Sequence, residues 1–535
     1  MAQTRWNMRK LAIATLCVLV TAAWTAMGEV KSQTAQQRVA RAAALDTAQV
    51  VQRIDSIIYD YLAAEKVKPS GPASDADFLR RVYLDITGRI PTAEQAAAFL
   101  DSRDPDKRAK LIEQLLASPE YGRHFADEWV RLLVPRNSDN RALRTQPLFD
   151  WLAEQFNQNR PWSEIVTALL TAKGTQQENP AVTYFLANQN LDQITNSVCR
   201  LFLGNQLQCA QCHNHPFTNW KQNDYWAFAA FFSKVRADNT VRAAKLGNSP
   251  GVTEMARFLG RRPNLPESYK ALPPKFLAGE SPQLRPDEPY RPVLAGWLTA
   301  PENPYFARAT VNRWWAKFFG RGLVNTVDDM HQDNPPVYPE LLELLAQQFV
   351  GHNFDLKWLV RTITSTQAYQ RSSQPAGDRP ADPTLFAQMP VKPMTPAQLF
   401  DALAQVVGFN RNLTVRKPAV GAKPGFNIRE AFILAFSGDE AADPLDYQAG
   451  IPHALRLMNS QMTNAEGLVL QEALRRGKTP EEILDWLYLG MLSRRPTEQE
   501  RQRFLAYVGQ RQYARNAWAD IFWALLNSSE FVLTR

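Results

Sequence analysis

The chain has 535 residues, enough for several cores, and its 45% apolar and 21% charged content excludes a chain disordered throughout. A formal charge of +8 is mild at this length, and no dense Lys/Arg block or nucleic-acid motif occurs, which argues against nucleic acid as a partner. The 36 prolines point to long ordered loops between helices.

Residues 1–28 read as a secretory signal: Arg5, Arg9 and Lys10 precede the apolar run Leu11–Ala23, and Ala26-Met27-Gly28 offers a cleavage site. The expected location is therefore the periplasm or cell envelope. Leu11–Met27 sits at the short limit for a bilayer span, so an uncleaved anchor is the alternative. No second hydrophobic span follows, and no integral membrane segment is expected after cleavage. Cleavage lowers the formal charge to +5 and leaves Cys199, Cys209 and Cys212. An odd count excludes a complete disulfide framework, and in an oxidising compartment two close thiols are oxidised unless committed to a cofactor or metal.

From about Ala48 to 235 apolar residues recur at three and four spacing, which predicts helices. One begins at Thr92, whose hydroxyl is placed to accept from the Gln95 amide while the Gln95 side chain answers back, and it runs to about Asp101. Prolines 263, 266, 273, 274, 282, 286 and 289 make 236–292 an irregular connector in which long helices are blocked. Helical spacing returns over 293–370, and a loop-rich stretch reaches Met394. A helix follows over Thr395–Val407, then an irregular segment over 408–451 with room for short strands, then helices to the end. Tyr488-Leu489 precedes Pro496-Thr497 as Tyr83-Leu84 precedes Pro91-Thr92, with Glu500 completing a second capping box. The two ends share one helical-hairpin design or a common helix-turn-helix solution. The expected fold is mainly α, with helical domains at 48–235 and 293–535.

Cys209-Ala210-Gln211-Cys212-His213 is the most specific chemical feature. In Cys-x-x-Cys-His the two thiols suit thioether bonds to the haem vinyl groups, and the adjacent imidazole then reaches the iron as proximal ligand. Leu191, Ile194, Val198, Leu201 and Phe202 form an apolar helix face leading into the motif, with Cys199 as a buried packing thiol. Phe217, Trp220, Tyr225, Trp226, Phe228, Phe231 and Phe232 follow it, either to exclude water from a haem or as ordinary core. Two other readings stay open: zinc held by Cys209, Cys212, His213 and His215, or a disulfide or redox-active thiol pair. For a sixth iron ligand, Met330, His331 and Met458 are the leading candidates, with His124, His453 and Met462 also competent. His215 follows His213 too closely to reach the opposite haem face.

Other patterns fail. Gly247-Asn248-Ser249-Pro250-Gly251 resembles a nucleophile elbow, but Pro250 lacks the N–H that its oxyanion hole needs. His124, Asp127 and Glu128 lie at helical spacing and read as a solvated face. Arg308, Asn312 and Arg313 read as helix–loop hydrogen-bonding groups, with anion binding the alternative.

Arg200 through Phe217, with Trp220 through Trp226 and Phe78 through Thr92, resembles the planctomycete-specific cytochrome-like domain, a family of unknown function. Asn303 through Trp314, Phe319 through Val324 and Pro339 through Leu342 resemble its usual companion domain. Two departures stand out: Tyr338 replaces a His, and Met330-His331 replaces a Phe-Gly pair. The resemblance implies a cytochrome. The resulting expectation is an exported c-type haem protein that exchanges electrons with a redox protein or a small-molecule donor or acceptor. Its alternatives are a haem-dependent oxidoreductase and a non-redox scaffold stapled by zinc or a disulfide.

Overall fold

The computed structural model describes residues 43–135, 143–238, 250–255, 265–269, 272–277, 279–409, 428–436 and 467–535. The signal at 1–28, His453, Met458, Met462, and all but 408–409 and 428–436 of the 408–451 segment lie outside them. The protein is mainly helical, and its few strands are short.

Helix α1 (Thr47–Ala64) starts at Asp46, whose carboxylate accepts from the Ala48 amide while Gln49 caps the Asp46 N–H. Its Val50, Ile54, Ile58 and Leu62 are at most 1% exposed, each contributing roughly 1.5–3 kcal/mol of gross burial energy. Helix α2 (Asp75–Thr87) ends on Gly88 at φ +68°, where a Cβ would come within 2.5 Å of His124 Nδ1. Only glycine satisfies both constraints. Helix α3 (Ala93–Asp101) has the expected capping box: Gln95 N donates to Thr92 Oγ1 at 3.2 Å and Thr92 N to Gln95 Oε1 at 2.9 Å. Helices α4 (Lys107–Ala117) and α5 (Pro119–Leu133) join at Ser118, which caps α5, and α5 packs on α6 (Gln146–Asn157).

Then come α7 (Trp162–Leu170), α8 (Thr183–Ala187), α9 (Leu191–Leu203) and α10 (Gln222–Ala229). A small antiparallel sheet orders β1 (Gly174–Thr175), β3 (Gly251–Glu254) and β2 (Val235–Asp238), with Gly174 and Ala237 both opposite Val252. The proline-rich stretch thus contributes strands, a 3-10 turn at Glu267–Tyr269 and, among its described residues, no long helix.

Next are α11 (Arg291–Leu298), α12 (Phe306–Phe319), α13 (Pro339–Gly351), α14 (Leu356–Ser365) and α15 (Gln367–Gln370). The strand β4 (Lys392–Pro393) precedes α16 (Pro396–Val407), α17 (Ile428–Phe436) and α18 (Leu468–Arg476). The described part of 408–451 is therefore helical at Ile428–Phe436 and carries no strand. The chain closes with α19 (Pro480–Leu492), α20 (Glu498–Gln510), α21 (Arg515–Leu526), α22 (Ser529–Val532) and β5 (Leu533–Thr534), which pairs with β4. Thr497 and Glu500 form the second capping box, and Ser528 caps α22 as Ser118 caps α5.

One apolar cluster runs from Val50 to Met389, takes in Leu489 as well, and spans both sides of the proline-rich stretch. A second joins Leu84 and Ile90 to Met394 and to the terminal helices through Phe531. The two similar hairpins meet there: α19 packs on α3, Arg495 pairs with Asp101 at 2.9 Å, and Arg80 donates to the Met491 and Phe531 carbonyls at 2.9 and 2.7 Å. No helix among the described residues is long and apolar enough to cross a membrane.

Candidate functional site

Helix α9 stops at Gly204, in the left-handed region at φ +63°, and its N–H caps the Cys199 carbonyl. The chain then drops into a 3-10 turn over Gln208–Gln211. Ala210 faces the core at 0% exposure, so its neighbours face out, and Cys209 and Cys212 are both exposed free thiols. Cys212 closes this turn three positions after Cys209, and its amide donates to the Cys209 carbonyl at 3.4 Å. The turn is braced from below: Gln222 Nε2 donates to the Gln211 and Cys212 carbonyls, both at 3.0 Å, and Trp226 Nε1 to Gln211 at 3.1 Å.

The three nearby histidines differ in what their rings are free to do. His213 Nδ1 lies 2.7 Å from the Asn214 carbonyl, which only accepts, so in the neutral ring the proton belongs on Nδ1 and the lone pair on Nε2. No partner engages that Nε2 among the described residues. His215 accepts from the Phe217 amide through Nδ1 at 3.3 Å and bonds the Gln206 main chain. Burial holds its pKa below the ordinary value, with Asp329 opposing and His331 and His213 reinforcing. His331 accepts from the Asp333 amide at 3.2 Å, and its Nε2 lies 3.6 Å from Asp329. Among the described residues no three His, Cys, Asp or Glu side chains form a group that could hold a metal ion.

The second half of the chain reaches this site. Met330 N donates to the Gly204 carbonyl at 2.8 Å, and the Met330 sulfur sits where a Gly204 Cβ would lie 3.0 Å away. Asp328, buried, accepts from Gln206 Nε2 at 2.9 Å and lies 3.5 and 3.6 Å from Arg313 and Arg200. Gly204→Ala is expected to cost about 1–2 kcal/mol from left-handed backbone strain alone, plus displacement of Met330, read as a lowered denaturant midpoint.

Most of the aromatic run belongs to the core. Tyr225, Phe228, Phe231 and Phe232 are at most 2% exposed and fill the core, whereas Phe217 is 75% exposed beside His215. Cys199 is a packing thiol, and burial pushes its pKa well above the ordinary value.

Residues 53–237 match PSCyt2, a protein of unknown function (DUF1549), and residues 290–425 match PSD1, a protein of unknown function (DUF1553). The chain belongs to the PSCyt2–PSD1 family. This family is planctomycete-specific, is named cytochrome-like and has no established function. No curated protein and no solved structure matches the chain.

The PSCyt2 region carries the cysteine turn, and the PSD1 region supplies Asp328, Met330 and His331 beside it. Gln206, Gln222 and Asp328 are the supports that sequence reasoning missed. Gln206 and Asp328 are 122 positions apart, and no local pattern joins them. In the PSD1 region Arg308 pairs with Glu343 at 2.5 Å, and Asn312 holds the Val324 and Val327 carbonyls at 2.9 Å. Asn312, and Arg308 through the Pro304 carbonyl, make the expected helix–loop bonds, whereas the Arg308–Glu343 pair joins α12 to α13.

One expectation is corrected. His124, Asp127 and Glu128 do not form a solvated face: they are enclosed by Lys317 of α12 and by Arg429 of α17. Against the burial that would raise it, Arg131 and Arg429 hold the Asp127 carboxyl well below its ordinary range.

Proposed function

We propose that Cys209 and Cys212 attach a haem c, that His213 ligates its iron through Nε2, and that the protein transfers electrons outside the cytoplasm. Each thiol would add its S–H across one vinyl C=C, so attachment needs no oxidant. The observation that carries this reading is the state of His213: a main-chain carbonyl fixes the proton on Nδ1, leaving Nε2 unengaged next to two exposed thiols. A ligating imidazole has this arrangement, in which its other ring nitrogen donates to a fixed acceptor. His215 and His331 have both ring nitrogens occupied or facing a partner, which favours His213 over either. Bound haem would supply a one-electron couple, and the exposed turn leaves its edge open to a redox protein or a small-molecule donor or acceptor. The signal read at 1–28 would deliver the chain to the periplasm or envelope.

The test is the visible spectrum and intact mass of protein made in a host with cytochrome maturation machinery. The expected result is a Soret band and a mass increase of roughly 600 Da, both lost in the Cys209→Ala/Cys212→Ala variant. Absence of both from the unaltered protein sinks the proposal. A low-spin ferric spectrum supports electron transfer. A high-spin one moves the reading to an oxidoreductase with an open iron position.

A further inference from the structure

A cavity of about 540 Å³ opens where α5, α12 and the 380–396 loop meet, away from the cysteine turn. That is within the ~300–1,000 Å³ of small-molecule sites. Five basic side chains line it against two acidic ones, Asp85 and Glu128. Lys317 pairs with Glu128, Lys392 with Asp85 at 3.0 Å, and Arg131 with Asp127 at 2.7 Å. Asp328 is shared between Arg313 and Arg200.

Arg321 is different. It forms no hydrogen bond or ion pair among the described residues, and its Nε is buried without an acceptor. Asp382 is near enough for Arg321 to help lower its carboxyl pKa, after the larger effect of its bonds to Thr384, yet the two do not pair. A partly buried guanidinium with unspent donors is costly unless an anion answers it. The rest of the lining mixes apolar side chains, among them Trp129, Phe319, Phe386 and several prolines, with polar ones such as Asn325, Gln388 and Gln398.

We propose that this cavity binds a small organic acid, its carboxylate on Arg321 and its ring against Trp129, Phe319 and Phe386. The site stands independently of haem attachment.

The probe is naphthalene-2-carboxylate, titrated calorimetrically into the full chain beside its neutral amide. The expected result is saturable binding of one acid per chain, with the amide at least about tenfold weaker, as a charged hydrogen-bond pair implies. Arg321→Gln should weaken the acid about tenfold and leave the amide unchanged. Val391→Trp, at a half-exposed lining position, should weaken both by occupying the cavity and tests the location even if Arg321→Gln does not fold. The proposal is overturned if the acid does not saturate, if acid and amide bind equally, or if acid binding survives in whichever of these variants fold.

Discussion

Arg291→Met is expected to destabilise the protein by about 3–5 kcal/mol, because it strands a carboxylate in the core. Arg291 is 1% exposed at the start of α11. Its Nε donates to Glu254 at 2.9 Å, its Nη1 donates to the Ala172 carbonyl at 2.7 Å, and its guanidinium lies 4.7 Å from the Phe185 ring centroid. Glu254 sits on β3 and also accepts from the Tyr290 and Arg291 amides. This one ion pair therefore ties the small sheet to the entry of α11. Chemical denaturation measures the loss. The Arg291→Met/Glu254→Met double variant should recover part of it, since removing both charges leaves neither unpaired. A single variant within about 1 kcal/mol of the unaltered protein would contradict a buried, mutually dependent pair.

Acidification should weaken the fold through His124. Burial against Gly88 and Phe125 lowers its pKa from 6.5 to about 4, with Glu128, Asp127 and Asp85 opposing and Lys317 reinforcing. Below pH 6.5 the unfolded chain takes up this proton while the folded chain does not, so stability falls as pH drops and the loss is complete below about 4. The penalty is about 3 kcal/mol. Asp127 and Glu128 titrate in the same direction at lower pH, so the discriminating measurement is a comparison. Between pH 7 and 4 the stability of His124→Leu should rise relative to the unaltered protein by about 3 kcal/mol. A constant difference across that range would falsify the assignment.

Local signals in the chain were read with most success where the physics is local. The Thr92 and Thr497 caps need only a hydroxyl and a side-chain oxygen acceptor three residues later, the Gln95 amide in one and the Glu500 carboxylate in the other, and both form as expected. Proline spacing over 236–292 forbids long helices whatever surrounds it. The His124 face was misread for the converse reason. Charged residues at helical spacing read as solvated, and only Lys317, 189 positions beyond Glu128, and Arg429, 302 beyond Asp127, make them a buried network.

By itself the sequence determined the helical class, the caps, the family and the Cys209–His213 motif, since each rests on neighbours within a turn or on a long recognisable pattern. Only the tertiary structure decided that Asp328 and Met330 brace the cysteine turn and that the two terminal hairpins share one core. Those outcomes depend on partners more than a hundred residues apart, brought together by burial that no local pattern encodes.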